Sequence, residues 1–236
     1  MIIEKMISLI IPCYNESEAI PIVSRRLEMA RNLLQERGWA LEVLVVNDGS
    51  TDSTEKVLSQ YPELRVISHP QNLGYGQALK TGFAQSRGEL IAMMDMDATY
   101  DPTNVVDLLR HLQAHDLDVV FGNRLLDSSD FTRWRRFGNL FLGFVFRHCL
   151  RLPRTDVCSG LRLFSRKFIP EILELPYRGF NLSIAMSELF LSQSRKCQQI
   201  PIRYSARLGE SKLVSFYEGW THLYVIFTIW LRSRRS

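Results

Sequence analysis

The sequence predicts an α/β fold with a mostly parallel central sheet flanked by helices. Short apolar runs bounded by Pro, Asn, Asp and Gly recur along the chain, the pattern of strands buried on both faces. Segments with apolar residues at helical spacing separate them, and this alternation defines the α/β class. With 236 residues, 46% hydrophobic and 23% charged, the chain suffices for one sizeable core with an appendage.

Residues 6–11 and 41–46 make the first two strands. The helix between them carries Ile20, Val23, Leu27, Ala30 and Leu34 on one face, and Pro21 fits if the first turn begins near Ser17. A helix over 53–60, a strand at 65–68 and a helix over 76–86 follow. Residues 90–94 and 118–121 are further strands. The helix between them opens at Asp101-Pro102, where Asp suits the N-cap and Pro the first helical position. After Gly122 the alternation lapses into a stretch rich in arginine and aromatics. A strand-like piece at 161–164, a helix over 181–194 and a last strand at 199–204 complete the pattern. No internal repeat or long linker separates these parts, so the appendage is expected to pack on the main domain.

The formal net charge of +4 conceals a division at residue 132, with 11 basic and 19 acidic residues before it and 18 basic and 6 acidic after. The halves carry −8 and +12. Residues 133–154 hold six arginines and no acid, interleaved with Trp134, Phe137, Leu140, Phe141, Phe144, Val145 and Phe146. Such a composition points to an anionic, greasy partner. A spanning helix needs about 20 consecutive apolar residues, whereas the best run, 223–231, is nine residues long. An intrinsic transmembrane protein is therefore not expected. The N-terminus lacks the basic start and cleavage site of a signal peptide, which makes cytoplasmic residence the expectation. The cysteines at 13, 149, 158 and 197 show no metal-ligand spacing and are read as reduced packing residues.

In open α/β sheets ligands bind beyond the carboxyl ends of the strands. Each strand end here is polar. Pro12-Cys13-Tyr14-Asn15-Glu16 follows the first strand, Asn47-Asp48-Gly49-Ser50-Thr51-Asp52 the second, Asn72-Leu73-Gly74-Tyr75-Gly76 the third, and Asp95-Met96-Asp97-Ala98-Thr99-Tyr100-Asp101-Pro102 the fourth. Asp95 and Asp97 lie two apart, so on an extended segment both carboxylates face one way and can close on a hard divalent cation. Such a cation would bridge a diphosphate and offset charge on a leaving group. Gly74 and Gly76 lack the spacing of a dinucleotide-binding loop and follow the third strand rather than the first, which argues against a dehydrogenase. Gly82 suits close helix packing.

Together these segments resemble a GT-A glycosyltransferase of family 2. The carriers are Ile11-Pro12-Cys13-Tyr14-Asn15-Glu16, Val46-Asn47-Asp48-Gly49-Ser50-Thr51-Asp52, Asn72-x-Gly74-x-Gly76-x-Ala78 and the Asp95-x-Asp97 pair. Gly122-Asn123-Arg124, Asp156-x-x-Ser159-Gly160-Leu161-Arg162 and Arg207-x-Gly209-x-Ser211-Lys212 resemble the branch of dolichyl- and polyprenyl-phosphate sugar synthases. The likeness spans about residues 7–213. Thr99 stands where the branch often has an amide, and Tyr100-Asp101-Pro102 where it often has a His-Pro-Pro type ending.

The resemblance implies that Pro12, Tyr14 and Glu16 line a nucleoside pocket and that Asp48 receives a hydrogen bond from base or ribose. It implies that Asp95 and Asp97 hold Mg²⁺ or Mn²⁺ on the donor diphosphate. Arg124 and Arg207, assisted by Ser211 and Lys212, would bind the phosphates of donor and acceptor, as suits guanidinium and ammonium groups. Asp97, Arg124 and Arg207 are the implied catalytic residues.

A hydroxyl acceptor needs a general base, whereas a phosphate monoester is already anionic near neutral pH. Glu188, the only acid between Glu174 and Glu210, is the base candidate for a hydroxyl acceptor, with pairing to Arg195 as its alternative role. The basic second half favours a phosphate acceptor. The expected organisation is a catalytic domain over 1–213, with 133–154 inserted as a basic aromatic interfacial segment, and a C-terminal amphipathic helix over 214–236. In that last segment Trp220, Leu223, Tyr224, Phe227, Trp230 and Leu231 precede Arg232, Arg234 and Arg235. The expected function is metal-dependent, inverting transfer of a hexose from a nucleotide sugar to a polyprenyl phosphate, at the cytoplasmic face of a membrane. A glycolipid or polysaccharide hydroxyl is the alternative acceptor. A membrane-anchoring partner or a homo-oligomer would fit; no nucleic-acid partner is expected, because no nucleic-acid motif accompanies the basic half.

Overall fold

The computed structural model describes residues 5–124, 133–150, 156–194, 196–205, 207 and 215–233. Its strands are β1 (Lys5–Cys13), β2 (Trp39–Asn47), β3 (Arg65–Ser68), β4 (Leu90–Met93), β5 (Val119–Asn123), β6 (Arg162–Ser165) and β7 (Cys197–Pro201). They form one sheet in the order β3-β2-β1-β4-β6-β5-β7. β1 pairs in parallel with β2 from Lys5–Trp39 to Cys13–Asn47, and with β4 from Ile7–Leu90 to Ile10–Met93. β6 runs antiparallel to both neighbours, which restores β5 and β7 to the direction of β1. The reversal brings the start of β6 to the edge where the other strands end. The residues before it, Asp156 onward, therefore join the loops expected to carry the chemistry.

Seven consecutive residues of β1, from Ile7 to Cys13, are buried, because helices cover both faces of the sheet. On one face Ile7, Leu9 and Ile11 pack against Ile20, Val23 and Leu27 of α1 (Ile20–Gln35). The same layer receives Val105, Leu108 and Leu109 of α4 (Asn104–Ala114). On the other face Ile10, Leu44 and Met93 meet Leu79 and Phe83 of α3 (Tyr75–Gln85) and Met186 and Phe190 of α7 (Asn181–Gln193). The alternation of Ile10 with Leu9 and Ile11 follows the two-residue period of a strand. α2 (Thr54–Leu58) and α6 (Ile169–Glu174) are short connectors.

A third cluster lies outside this sandwich. Leu142 and Phe146 of α5 (Arg133–Leu150) pack with Ile184 and Ala185 of α7, Val157, and Val225 and Ile226 of α8 (Ser215–Ser233). Phe146, expected at an interface, is thus fully buried, whereas Phe141 and Phe144 are 48% and 52% exposed. Among the described residues, no helix is long and apolar enough to cross a membrane.

Several boundaries differ from expectation. α1 starts at Ile20 rather than Ser17, still placing Pro21 in its first turn, where the missing N–H is harmless. Asp101 does not cap α4; its carboxylate accepts from the Thr103 amide and hydroxyl in the preceding turn. β7 ends at Pro201, so Tyr204 lies beyond the sheet. α6 is an element that apolar spacing over six residues is too short to declare.

Candidate active site

The loops after β1 and β2 are tied together by Asn15. Its side-chain oxygen accepts from the Thr51 amide at 2.8 Å, and its backbone amide donates to the Ser50 hydroxyl at 3.0 Å. Asn15 adopts a left-handed φ of 53°, which asparagine tolerates. Pro12 is buried in β1 beside Val46 of β2, and Tyr14 is half-buried in the loop that follows. Asp48 points inward. Its carboxylate accepts from the amides of Leu73 and Gly74 at 2.9 and 2.8 Å and lies 2.7 Å from Nδ1 of His69. The side chain is only 3% exposed. The structure thus gives Asp48 to the bracing of loop 69–74, where the resemblance implied contact with a base or ribose.

Asp95 and Asp97 follow β4, as expected, and the turn between them is shaped by specific partners. The Tyr75 hydroxyl donates to Asp95 Oδ1 at 2.9 Å. The amide and hydroxyl of Thr99 donate to Asp97 Oδ1 at 3.1 and 2.5 Å. Thr99 therefore orients the second aspartate. Ala98 takes a left-handed φ of 61°, an unfavourable conformation for a residue with a Cβ. Such local strain is characteristic of functional turns. Gly160 packs against the first aspartate so closely that a Cβ there would sit 2.5 Å from Asp95 Oδ2. Burial and then the Asp97 charge push the Asp95 carboxyl up to about 7, against the opposing hydrogen bond from Tyr75.

Arg207 spans the crevice. It donates to Glu16 Oε1 at 2.6 Å and approaches Asp97 Oδ2 at 3.4 Å, while its buried Nε has no hydrogen-bond partner among the described residues. Arg124 is held differently. Its Nε and Nη2 donate to the two carboxylate oxygens of Asp156 at 2.7 and 2.8 Å, its backbone amide adds a bond of 3.2 Å, and its guanidinium lies over the Tyr204 ring. Burial opposes the Arg124 charge, but Asp156 outweighs it and holds the pKa well above the ordinary arginine value. The two arginines joined by resemblance thus differ: Arg207 touches the carboxylates of the crevice and Arg124 is neutralised within the fold.

Glu188 lies on α7, half-buried, and its hydrogen bond goes to Ser192 in the next turn; burial raises its pKa. Among the described residues, no ion pair joins it to the crevice. Arg195, Ser211 and Lys212 lie outside the described residues. Asp156, Tyr75 and Asn15 are the site residues that went unassigned. Asp156 opens a motif and could have been paired with Arg124; Tyr75 carried no signal, since its partner is twenty residues away.

The donor set suits a hard divalent cation. Among the described residues, Glu16 and Asp97 pair with the Arg207 guanidinium, and Asp95 feels both Arg124, itself paired with Asp156, and Arg207; when all three carboxylates are ionised they exceed Arg207, the one guanidinium not paired with Asp156, by two charges. Among the described residues, no group of three or more Asp, Glu, His or Cys side chains gathers for a metal. Two carboxylates completed by phosphate oxygens and water is the coordination that Mg²⁺ commonly adopts.

A mostly parallel sheet with one reversed strand, carrying an Asp-x-Asp turn at its carboxyl edge, defines a GT-A-type α/β protein. The chain belongs to glycosyl transferase family 2, whose model matches residues 8–173. Similar proteins include the low-salt glycan biosynthesis hexosyltransferase Agl6 of Haloferax volcanii, 31% identical over 92% of this chain and 52% of that protein. The dolichol-phosphate mannosyltransferase of Pyrococcus furiosus is 29% identical over 92% of this chain and 62% of that protein. The chain spans about half to two thirds of the length of such relatives. Among solved structures, glucosyl-3-phosphoglycerate synthase of Mycobacterium tuberculosis, in complex with Mn²⁺, UDP and glucosyl-3-phosphoglycerate, superposes with a TM-score of 0.68. Its sequence is 19% identical, over 95% of this chain and 79% of that one. This likeness establishes the fold.

Proposed function

We propose that this chain is a hexosyltransferase that takes its sugar from a nucleotide donor, requires Mg²⁺ or Mn²⁺, and delivers the sugar with inversion to a polyprenyl or dolichyl phosphate. The observation that carries the proposal is the convergence of Asp95, Asp97, Glu16 and Arg207 on one crevice at the carboxyl edge of the sheet. Relatives named as a dolichol-phosphate mannosyltransferase and dolichyl-phosphate beta-glucosyltransferases favour the lipid-phosphate acceptor.

Asp95 and Asp97 would hold the cation, which when bound neutralises charge developing on the departing diphosphate. Tyr14 and Pro12 would flank the nucleoside, while Asp48 and Asn15 keep the loops around it in place. Arg207 is already seated among the carboxylates and can exchange Glu16 for a phosphate, because a guanidinium offers two-point contact to either. A phosphate monoester arrives as its own nucleophile, so no general base is required. This agrees with Glu188 being bonded to Ser192 rather than to the crevice. Ser211 and Lys212 remain candidates for the acceptor phosphate. Arg124 supports the site from within its pair with Asp156.

The acceptor's lipid would be met at the cytoplasmic face of a membrane by α5 and α8. Among the described residues, five of the nine large apolar side chains that stand exposed, Phe141, Phe144, Tyr224, Phe227 and Leu231, lie on these two helices. Their aromatic rings suit the headgroup layer.

The test is incubation with Mn²⁺ or Mg²⁺, a panel of nucleotide sugars and polyprenyl phosphates, scored for labelled acid-labile lipid. Transfer to a hydroxyl acceptor with no lipid product would overturn the lead acceptor. Asp97→Ala is expected to remove turnover, and retained activity would refute the metal assignment.

A further inference from the structure

On the footing of the metal-dependent transferase reading, we propose that Tyr75, Phe180 and His222 form a positioning chain that connects α8 to the Asp95 carboxylate and sets the affinity of the Asp95–Asp97 turn for its cation. Tyr75 holds one carboxylate oxygen of Asp95 through its hydroxyl at 2.9 Å. Its ring is in turn fixed by Phe180, stacked with centroids 4.6 Å apart and planes inclined by 20°. The loop carrying Phe180 lies backbone to backbone on the first turn of α3, which carries Tyr75. The Gln77 amide donates to the Arg178 carbonyl at 2.9 Å, and a Cβ on Gly74 or Gly76 would fall 2.7 Å from the Arg178 or Gly179 carbonyl oxygen. His222 is buried on α8 with its ring against the Phe180 backbone, a contact that raises its pKa while burial, the larger influence, lowers it; its Nε2 has no hydrogen-bond partner among the described residues. The next exposed position on that helix is Tyr224, and Phe227 and Leu231 continue the outward stripe. One helix thus presents aromatic residues outward and, through two side chains, reaches a carboxylate of the crevice.

The chemistry assigns each member a task. A carboxylate with one oxygen tethered keeps a fixed direction for the remaining lone pairs, and partners of this kind typically change metal affinity by about 10–100-fold when lost. Gly160 packs against the other carboxylate oxygen of Asp95, where a Cβ would lie 2.5 Å from Oδ2, so the Tyr75 hydroxyl is the side-chain tether on Oδ1. Tyr75→Phe deletes the hydroxyl and keeps the stack with Phe180. The change therefore isolates orientation from packing.

The experiment measures Mn²⁺ binding by electron paramagnetic resonance of the free ion, and UDP and GDP binding by calorimetry, on the full chain. Tyr75→Phe is expected to raise the half-saturating Mn²⁺ concentration roughly tenfold, with the metal-free protein still unfolding cooperatively. Phe180→Leu and His222→Ala are expected to raise it several-fold, and Phe180→Tyr to restore the parental value. A Tyr75→Phe value within twofold of the parent overturns the positioning role. A shift in Tyr75→Phe with none in His222→Ala overturns the link to α8. A parent protein that binds neither nucleotide at any Mn²⁺ concentration overturns the transferase reading itself.

Discussion

Removing Asp156 tests whether Arg124 belongs to the fold or to a ligand. The pair has two charge-assisted bonds of 2.7 and 2.8 Å and a third from the Arg124 amide at 3.2 Å. The Asp156 side chain is fully buried and that of Arg124 is 10% exposed. Deleting one partner of such a pair strands the other charge and costs about 3–5 kcal/mol. Against a total stability on the order of 5–15 kcal/mol, that is a large fraction. With a urea m-value of about 3 kcal/mol/M, the midpoint for Asp156→Ala should fall by about 1–1.7 M. The melting temperature should fall by roughly 6–20 °C, at 2–4 °C per kcal/mol for a chain of this length.

The assay is urea unfolding of four proteins at one pH: the parent, Asp156→Ala, Arg124→Met, and Arg124→Met with Asp156→Leu. The double variant should recover most of the loss, because burying two charges offsets nearly all that their attraction returns. If Asp156→Ala stays within about 1 kcal/mol of the parent and the changes simply add, Arg124 is not held by the fold. Its guanidinium would then be available to phosphate after all.

The Asp95 carboxyl, ordinarily near 3.8 and here at about 7, binds its proton more tightly in the folded chain than in the unfolded one. Its contribution to metal-free stability should therefore decline as pH rises from about 4 through 7. Melts at both ends of that range should show the decline flattened in Asp95→Asn, and an identical slope would assign it elsewhere. Gly82→Ala would drive a Cβ to 2.2 Å from Ile10 Cγ2, so overpacking of about 1–3 kcal/mol is expected in chemical denaturation; no loss would mean that α3 can lift from β1. Combined Phe144→Ser, Tyr224→Ser and Phe227→Ser should abolish flotation with anionic liposomes while leaving the melting temperature nearly unchanged. Undiminished flotation would clear this face of a membrane role.

Much of the fold is legible because it is written in local patterns. The runs near 6–11 and 41–46 mark β1 and β2, and Ile20, Val23 and Leu27 mark the inward face of α1. The direction of β6 is not local. Arg162–Ser165 reads as a short apolar piece in either direction, and only pairing with Met93 and Phe121 reverses it. The site divides in the same way. Asp95 and Asp97 are visible as a spaced pair, and Thr99 is visible as a departure whose task, holding Asp97, appears only in three dimensions. Asp48 and Arg124 carry the right chemistry for ligand contact, but a motif cannot tell an outward carboxylate from one bonded to the Leu73 and Gly74 amides.

The charge division of the sequence, −8 before residue 132 and +12 after it, is reworked by folding. Arg124 of the acidic half is neutralised by Asp156 of the basic half, and Arg207 of the basic half is drawn to Glu16 and Asp97. Arg162 is fully buried over the Phe121 ring, donating to the Ser159 and Val157 carbonyls, and Arg166 donates to the Gly88 carbonyl. Three arginines of the positive half thus serve the interior or the crevice, and the charge open to a lipid surface is smaller than the count suggests. Among the described residues the crevice has the opposite sign once Asp95 is ionised, because Glu16, Asp95 and Asp97 then outnumber Arg207. A bare diphosphate would be repelled there, whereas one bridged by a divalent cation meets a complementary charge at close range. The excess of carboxylates that marks the first half as acidic is, at this edge of the sheet, what would tie donor binding to a metal in the proposed transferase.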